Sequence, residues 1–409
     1  MGDSKMNRRT LLATGTGGAI GGILVPAAFP GGAEGAEPMP DVYELLGVQP
    51  IINAAGTITA LGGSLMPPEV VAAWNAAARH FVPLAELQDR VGERIAKLLG
   101  VEAALVTTGA AGGMQLATAA AVTWRDKSLI ARLPLSPAIG IEVVRQKTHR
   151  ACYDNQVTAC GVTLVDVETL DDLERAITPR TAMMLAYNIE EKSGRIAHPE
   201  WIAAARRHQV PTLLDAAADT PPRERLWEYN RMGFDLVAFS GGKALRGPQN
   251  AGLLLGRKEL IEAAKLNTSP NCGTIGRSLK VSKEDMVAMW AAVERFMRID
   301  LDAEVREWRR RIDVIATALR EIPALKAETI IPPIANHVPH LLLHWDESRV
   351  KITPQQMKAR LAAGKPSIAT ARVHGTGETG FLISVFMLQP GEELIVAERV
   401  REILEHAIA

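Results

Sequence analysis

The stretch "FDLVAFSGGKALRGPQNAGLLLG" (234–256) sets a single lysine, Lys243, in a glycine-rich turn between two apolar runs. Each run, 234–239 and 251–256, has the length and composition of a short buried strand. Lys243 is therefore expected on the loop that joins two strands of a sheet. Upstream, strand-like and helix-like segments alternate. Residues 68–79 and 84–99 read as helices, 102–109 as a strand and 110–124 as an alanine-rich buried helix. Strands are expected near 141–146, 161–167, 181–188 and 210–218, with helices near 170–177 and 199–209. This βαβ alternation predicts an α/β fold, a mostly parallel sheet covered on both faces by helices.

Beyond that block, 283–322 reads as one long helical stretch linking to a smaller C-terminal α+β part. There "IATARVHGTGETGFLISVFML" (368–388) reads as a hairpin around a glycine turn. The expected division is 1–37 signal and linker, 38–67 N-terminal arm, 68–285 large domain, 286–322 linking helix and 323–409 small domain. "NHVPHLLLHW" (336–345) holds three histidines, but its alternation reads as a strand that scatters the rings over two faces, so no metal site is expected.

Composition narrows the function. The chain has 409 residues, 47% hydrophobic and 22% charged, and its 46 basic residues balance 46 acidic ones. Neutral balance of this kind gives no electrostatic footprint for nucleic acid. The densest basic run, "EWRRR" (307–311), reads as the solvated face of a helix. Cys152, Cys160 and Cys272 have no metal-type spacing, and no disulfide is expected.

The first residues, "MNRRTLLATGTGGAIGGILVPAAFPGGAEGAEP" (6–38), place Arg8 and Arg9 before a glycine-diluted apolar run and a small-residue linker. This order resembles a twin-arginine export signal, which predicts passage through that export machinery, a periplasmic location and no stable membrane association after processing. Export by that route carries folded proteins, which suits an enzyme that acquires a cofactor first.

Ligands of open α/β sheets sit at the carboxyl ends of the strands. One expected strand end runs through Thr108, Gly109, Ala110 and Ala111 into a helix, where backbone N–H groups and the helix dipole can cradle a phosphate. A second, "LLDAAAD" (213–219), brings Asp215 to the end of an apolar strand, where a carboxylate needs a cationic partner. The third carries Ser240 and Lys243, and a lysine in a dry pocket can condense with an aldehyde. An anion cradle, an acid and a lysine one strand apart are the set that pyridoxal phosphate requires. The cradle takes the phosphate, Asp215 keeps the pyridine nitrogen protonated, and Lys243 is the covalent tether and general base. In this reading the glycines beside Lys243 let the backbone approach the cofactor.

With these residues, "SGGKALRGPQNAG" above all, the chain resembles fold-type-I pyridoxal-phosphate enzymes of the selenocysteine synthase (L-seryl-tRNA selenium transferase) family over roughly residues 40–390. "INAAGTITALGG" (52–63) is closer to the D-glucosaminate-6-phosphate ammonia-lyase branch. The resemblance implies a sheet of the seven-stranded type and a homodimer or larger homo-oligomer. It also implies His149 stacked on the cofactor ring with Tyr153 behind it, and Asn188 at the ring hydroxyl. Arg372 would hold the substrate carboxylate, with Arg246 and Gln249 reaching phosphate or substrate. A buried His149 packed in the core is the alternative for that residue. The tRNA-engaging helical domain of selenocysteine synthase has no counterpart between leader and core, and export would part the protein from tRNA, so a small amino-acid substrate and no nucleic acid are expected. The preferred activity is elimination from a β-hydroxy amino acid or amino sugar acid to a 2-oxo acid. A racemase, a selenium-transferase-like transferase and a non-catalytic scaffold are the alternatives.

Overall fold

The computed structural model describes residues 41–371 and 380–408. The chain divides into two compact units, Met1–Pro50 and Ile51–Ala409. In the first, the described residues form one helical turn, Val42–Leu45, whose N-cap Asp41 accepts the Tyr43 N–H at 2.9 Å.

The second unit is built on a seven-stranded sheet. Its strands follow β1 (Ile52–Ala54) in the chain and are β2 (Ala103–Thr107), β3 (Glu142–Gln146), β4 (Thr163–Val167), β5 (Thr181–Tyr187), β6 (Thr212–Asp215), β7 (Leu236–Ser240) and β8 (Gly252–Gly256). Their spatial order is β2-β8-β7-β6-β5-β3-β4, and β8 alone runs antiparallel to its neighbours. The central strands are apolar on both faces because helices cover both, so they read as continuous runs rather than alternating ones. The helix Gly109–Thr123 lies almost wholly buried against this sheet, and its small residues permit that approach. A Cβ on Gly113 would come 3.2 Å from Thr107 Oγ1.

Several expectations fail at the level of elements. The stretch 283–322 is two helices, Lys283–Arg298 and Leu301–Ala318. Ile299 is extended (ψ 150°), and Asp300 begins the second helix by accepting the Ala303 N–H at 2.9 Å. Nor is "EWRRR" simply a solvated face. Trp308, Arg311, Ile312 and Ile315 share one buried stripe. Arg311 is buried there, with Nη1 donating to Leu388 O at 2.5 Å and Nε to Glu307 at 2.9 Å.

After these helices come β9 (Leu325–Ile330), β10 (His340–Trp345), β11 (Ile368–Thr370) and β12 (Phe381–Ser384). β9, β10 and β12 form an antiparallel sheet of three, whereas β11 pairs in parallel with β1. The expected hairpin therefore contributes its two strands to different sheets, and among the described residues an Ala371–Leu382 bridge joins them. β10 starts at His340, which leaves His337 in the preceding loop. All three cysteines are free thiols, with Cys160 buried. No helix among the described residues is long and apolar enough to cross a membrane.

Candidate active site

Strand register brings the candidate residues to one edge of the large sheet. Thr107 pairs with Gly252, and Gly252 with Ser240, so the ends of β2 and β7 lie two strands apart, about 10 Å at ordinary strand spacing. Asp215 pairs with Ala238 on one side and with Tyr187 on the other. Along that edge stand the start of the Gly109–Thr123 helix, the Lys243 loop, Asp215 and Asn188.

The loop after β7 is tightly folded. Arg246 N donates to Lys243 O and Gly247 N to Gly241 O, both at 2.9 Å. Its glycines are packed closely within the protein. A Cβ on Gly241 would sit 2.4 Å from Met289 Sδ, and one on Gly242 2.5 Å from Gln249 Cα. Arg246, at φ 54°, donates through Nε to Leu65 O at 2.8 Å, and Gln249 Nε2 donates to Thr59 O at 2.9 Å. Both side chains thus hold the arm segment 59–65 against the loop.

Asp215 accepts the Ala217 N–H at 2.9 Å. Burial lifts its carboxyl to about 6 against the pull of Lys243 and of the Ala217 bond, and the charge of Asp219 adds to the lift. The Lys243 ammonium is lowered by burial and supported by Asp215 and Asp219. Asp219 is itself buried, and burial raises its carboxyl. Asn188 Nδ2 donates to Asp219 Oδ2 at 2.5 Å and to Tyr229 Oη at 2.8 Å, while Tyr229 Oη donates to Asp219 Oδ2 at 2.9 Å. The amide of Asn188 is therefore committed to Asp219 and Tyr229. Neither of those two residues stood out in the sequence. Asp219 had a signal, a second acid four residues after Asp215 in the same small-residue stretch; Tyr229 had none.

His149 is wholly enclosed. Its Nδ1 accepts the Tyr187 N–H at 3.2 Å, and Gln146 Nε2 lies 3.4 Å from its Nε2. No face of the ring is open for stacking, and burial, with His198 nearby, lowers its pKa to about 4. This is the core histidine of the alternative reading. Tyr153 is exposed, and its hydroxyl is raised by burial, by Cys152 and by the charge of Asp215. Arg372 lies outside the described residues.

The residues present fit pyridoxal phosphate. Thr108 Oγ1 is buried beside the first turn of the helix without a hydrogen-bond partner among the described residues. At Gly109 (φ +64°) a Cβ would meet nothing within 4 Å, so that turn opens onto free space. Its first N–H groups have no intrahelical acceptor, which is what an anion requires. An acid raised by burial and a lysine lowered by burial stand at the ends of the neighbouring strands β6 and β7.

The sheet order and this site define a fold-type-I pyridoxal-phosphate protein. The L-seryl-tRNA selenium transferase family model matches residues 51–337, well over half of the chain, and the chain belongs to that family. It is 29% identical to D-glucosaminate-6-phosphate ammonia lyase of Salmonella typhimurium, over 90% of this chain and 99% of that protein. It is 30% identical to 5'-C-glycyluridine monooxygenase-decarboxylase of a Streptomyces species, over 80% of this chain and 83% of the relative. L-seryl-tRNA(Sec) selenium transferase of Moorella thermoacetica is 27% identical, and the match spans 60% of that protein. A solved D-glucosaminate-6-phosphate ammonia-lyase structure superposes with a TM-score of 0.77 at 28% identity, covering 90% of this chain and 99% of the other. A serine palmitoyltransferase from Sphingomonas wittichii, at 13% identity and a TM-score of 0.52 over 88% of this chain and 89% of its own, shares the fold. The cofactor is pyridoxal phosphate.

Proposed function

We propose that the protein is a pyridoxal-phosphate-dependent lyase acting on a β-hydroxy amino acid or amino sugar acid. The observation that carries this reading is the convergence of Lys243, Asp215 and Asp219 on one sheet edge, in a chain alignable with an ammonia lyase along 99% of the lyase's length. When bound, the cofactor withdraws electrons from the substrate's Cα. Thr108 to Ala111 hold its phosphate, and Asp215 holds a proton at its ring nitrogen. Lys243, lowered by burial, takes the α-proton. The Cα–H and Cβ–O bonds break, water leaves, and hydrolysis returns one water to give a 2-oxo acid and ammonia. Asp219 stands near Lys243 and supports its ammonium, with Asn188 and Tyr229 fixing its position.

Racemisation needs a second base on the other ring face. With His149 enclosed, Tyr153 is the residue left for that role, and its raised hydroxyl is a weak donor and a poor base at neutral pH. In this reading the protein is exported through the twin-arginine route and works as a homo-oligomer on a small molecule.

Borohydride reduction of the reconstituted protein followed by peptide mass mapping tests the tether. The phosphopyridoxyl group is expected on the peptide carrying Lys243, and Lys243→Ala is expected to lower turnover by about 100-fold or more. Ammonia release over a panel of D- and L-hydroxy amino acids tests the reaction. Loss of optical rotation without ammonia would replace the lyase by the racemase.

A further inference from the structure

Beside the site lies a cavity of about 640 Å³, enclosed by arm residues 55–61, the segment 330–336, and the chain around β11 and β12. One chain neighbour and two hydrogen bonds join its walls to the chemistry. Ile189, in its lining, follows Asn188 directly. Asn336 N donates to Ala218 O at 2.8 Å, next to Asp219. The arm wall is tied to the Lys243 loop through the Gln249–Thr59 bond.

We propose that this cavity receives the substrate's side chain, and that the side chain it takes is bulky and apolar with a neutral hydrogen-bonding group. The inference rests on the lyase reading above and narrows its substrate. Its volume falls in the range of small-molecule pockets, roughly 300–1,000 Å³, far more than a hydroxymethyl or hydroxyethyl group fills. Ile58, Leu61, Ile334, Leu382 and Phe386 make its surface mainly apolar. A polyhydroxylated chain placed there would leave hydroxyls facing hydrocarbon unpaired.

Three buried polar groups in the wall are neutral. Ser384 Oγ, Thr370 Oγ1 and His340 Nδ1 belong to buried lining residues and have no hydrogen-bond partner among the described residues. His340 and Ser384 are direct cross-strand partners. His340 Nε2 lies 3.3 Å from Asn336 O, which places its proton on Nε2 and leaves a lone pair on Nδ1. A lone pair beside two hydroxyls suits a hydroxyl or amide, not an anion. Lys192 and Lys358 also line the cavity; Lys192 is exposed, and a lysine at such a rim lends its apolar stem while its ammonium stays in water.

The test uses the full chain reconstituted with pyridoxal phosphate and three probes: threo-3-phenylserine, serine and D-glucosaminate 6-phosphate. Calorimetric affinity is measured alongside release of ammonia. Phenylserine is expected to bind about tenfold or more tighter than serine. Ala362→Trp, which fills the cavity from an exposed helix end, and Ile58→Ser, on the arm, are each expected to cut that preference about tenfold. Melting curves check that both variants fold. Equal affinity for serine and phenylserine overturns the inference. So does tightest binding of the sugar phosphate with loss in Lys192→Ala and Lys358→Ala. If phenylserine is preferred but no ammonia forms, the pocket stands and the lyase reading falls. If serine and phenylserine release ammonia with equal efficiency, the lyase reading stands and the pocket falls.

Discussion

Asp215 and His149 are held in opposite ways by the same kind of burial. For Asp215 the folded pKa, about 6, lies above its ordinary value of 3.8. Between those values the folded state binds more protons than the unfolded chain, so this group's contribution falls as pH rises through the window. For His149 the folded pKa, about 4, lies below 6.5. There the unfolded chain binds more protons, so stability falls as pH drops from 6.5 toward 4. Each effect is at most about 3 kcal/mol, and in the cofactor-free parent they oppose each other. Asp215→Asn is expected to melt a few degrees higher than the parent at pH 7 and to become more acid-labile, while losing about 100-fold or more in turnover. His149→Gln is expected to lose the acid lability between pH 6.5 and 4. Melting temperature against pH for the three cofactor-free proteins reads both terms. A flat difference between parent and His149→Gln would mean that the ring is already charged in the fold.

At the scale of elements, the Lys243 loop shows why a glycine's presence is easier to read than its reason. The pattern around 234–256 placed the lysine on the loop between β7 and β8, because apolar run length and glycine punctuation are local properties. What presses on Gly241 and Gly242 is not local: Met289 comes from the helix Lys283–Arg298, and the Gln249 backbone from across the turn. Gly242→Ala is therefore expected to destabilise the protein by about 1–3 kcal/mol even without cofactor, measured by urea unfolding. A loss confined to cofactor affinity would instead mean that these glycines make room for the ligand. The same division holds elsewhere. Strand positions and the acid at the end of β6 were legible from periodicity. The partners of Asn188, the enclosure of His149 and the burial of Arg311 depend on which strand ends and helices meet, which no single stretch encodes. The Ile299–Asp300 break was legible in principle, since Asp followed by Leu-Asp-Ala is an ordinary N-cap pattern, but the helical periodicity on either side masked it.

For the whole molecule, the proposed export signal and the cofactor would impose a joint condition. A ligand that binds only the folded state stabilises it by mass action, by about 2.7 kcal/mol at a hundredfold excess over its dissociation constant. Pyridoxal phosphate tethered through Lys243 in the cytoplasm would thus deliver a more stable, already folded protein to an export route that accepts folded cargo. On the export proposal, export would depend on two features far apart in the chain: the Arg8–Arg9 pair, and the strand-end residues proposed to hold the cofactor. Replacing both arginines by lysine (Arg8→Lys, Arg9→Lys) in the full chain is expected to leave folding and cofactor absorbance unchanged and to shift the protein from the periplasmic to the cytoplasmic fraction. Lys243→Ala with the arginine pair intact is expected to be exported less completely than the parent, in proportion to its loss of folded-state stability. Cell fractionation with a spectrum of each fraction separates the two effects. Periplasmic recovery of the double-lysine variant at parental levels would sink the export reading, and the run 6–38 would then have to be read as an anchor instead.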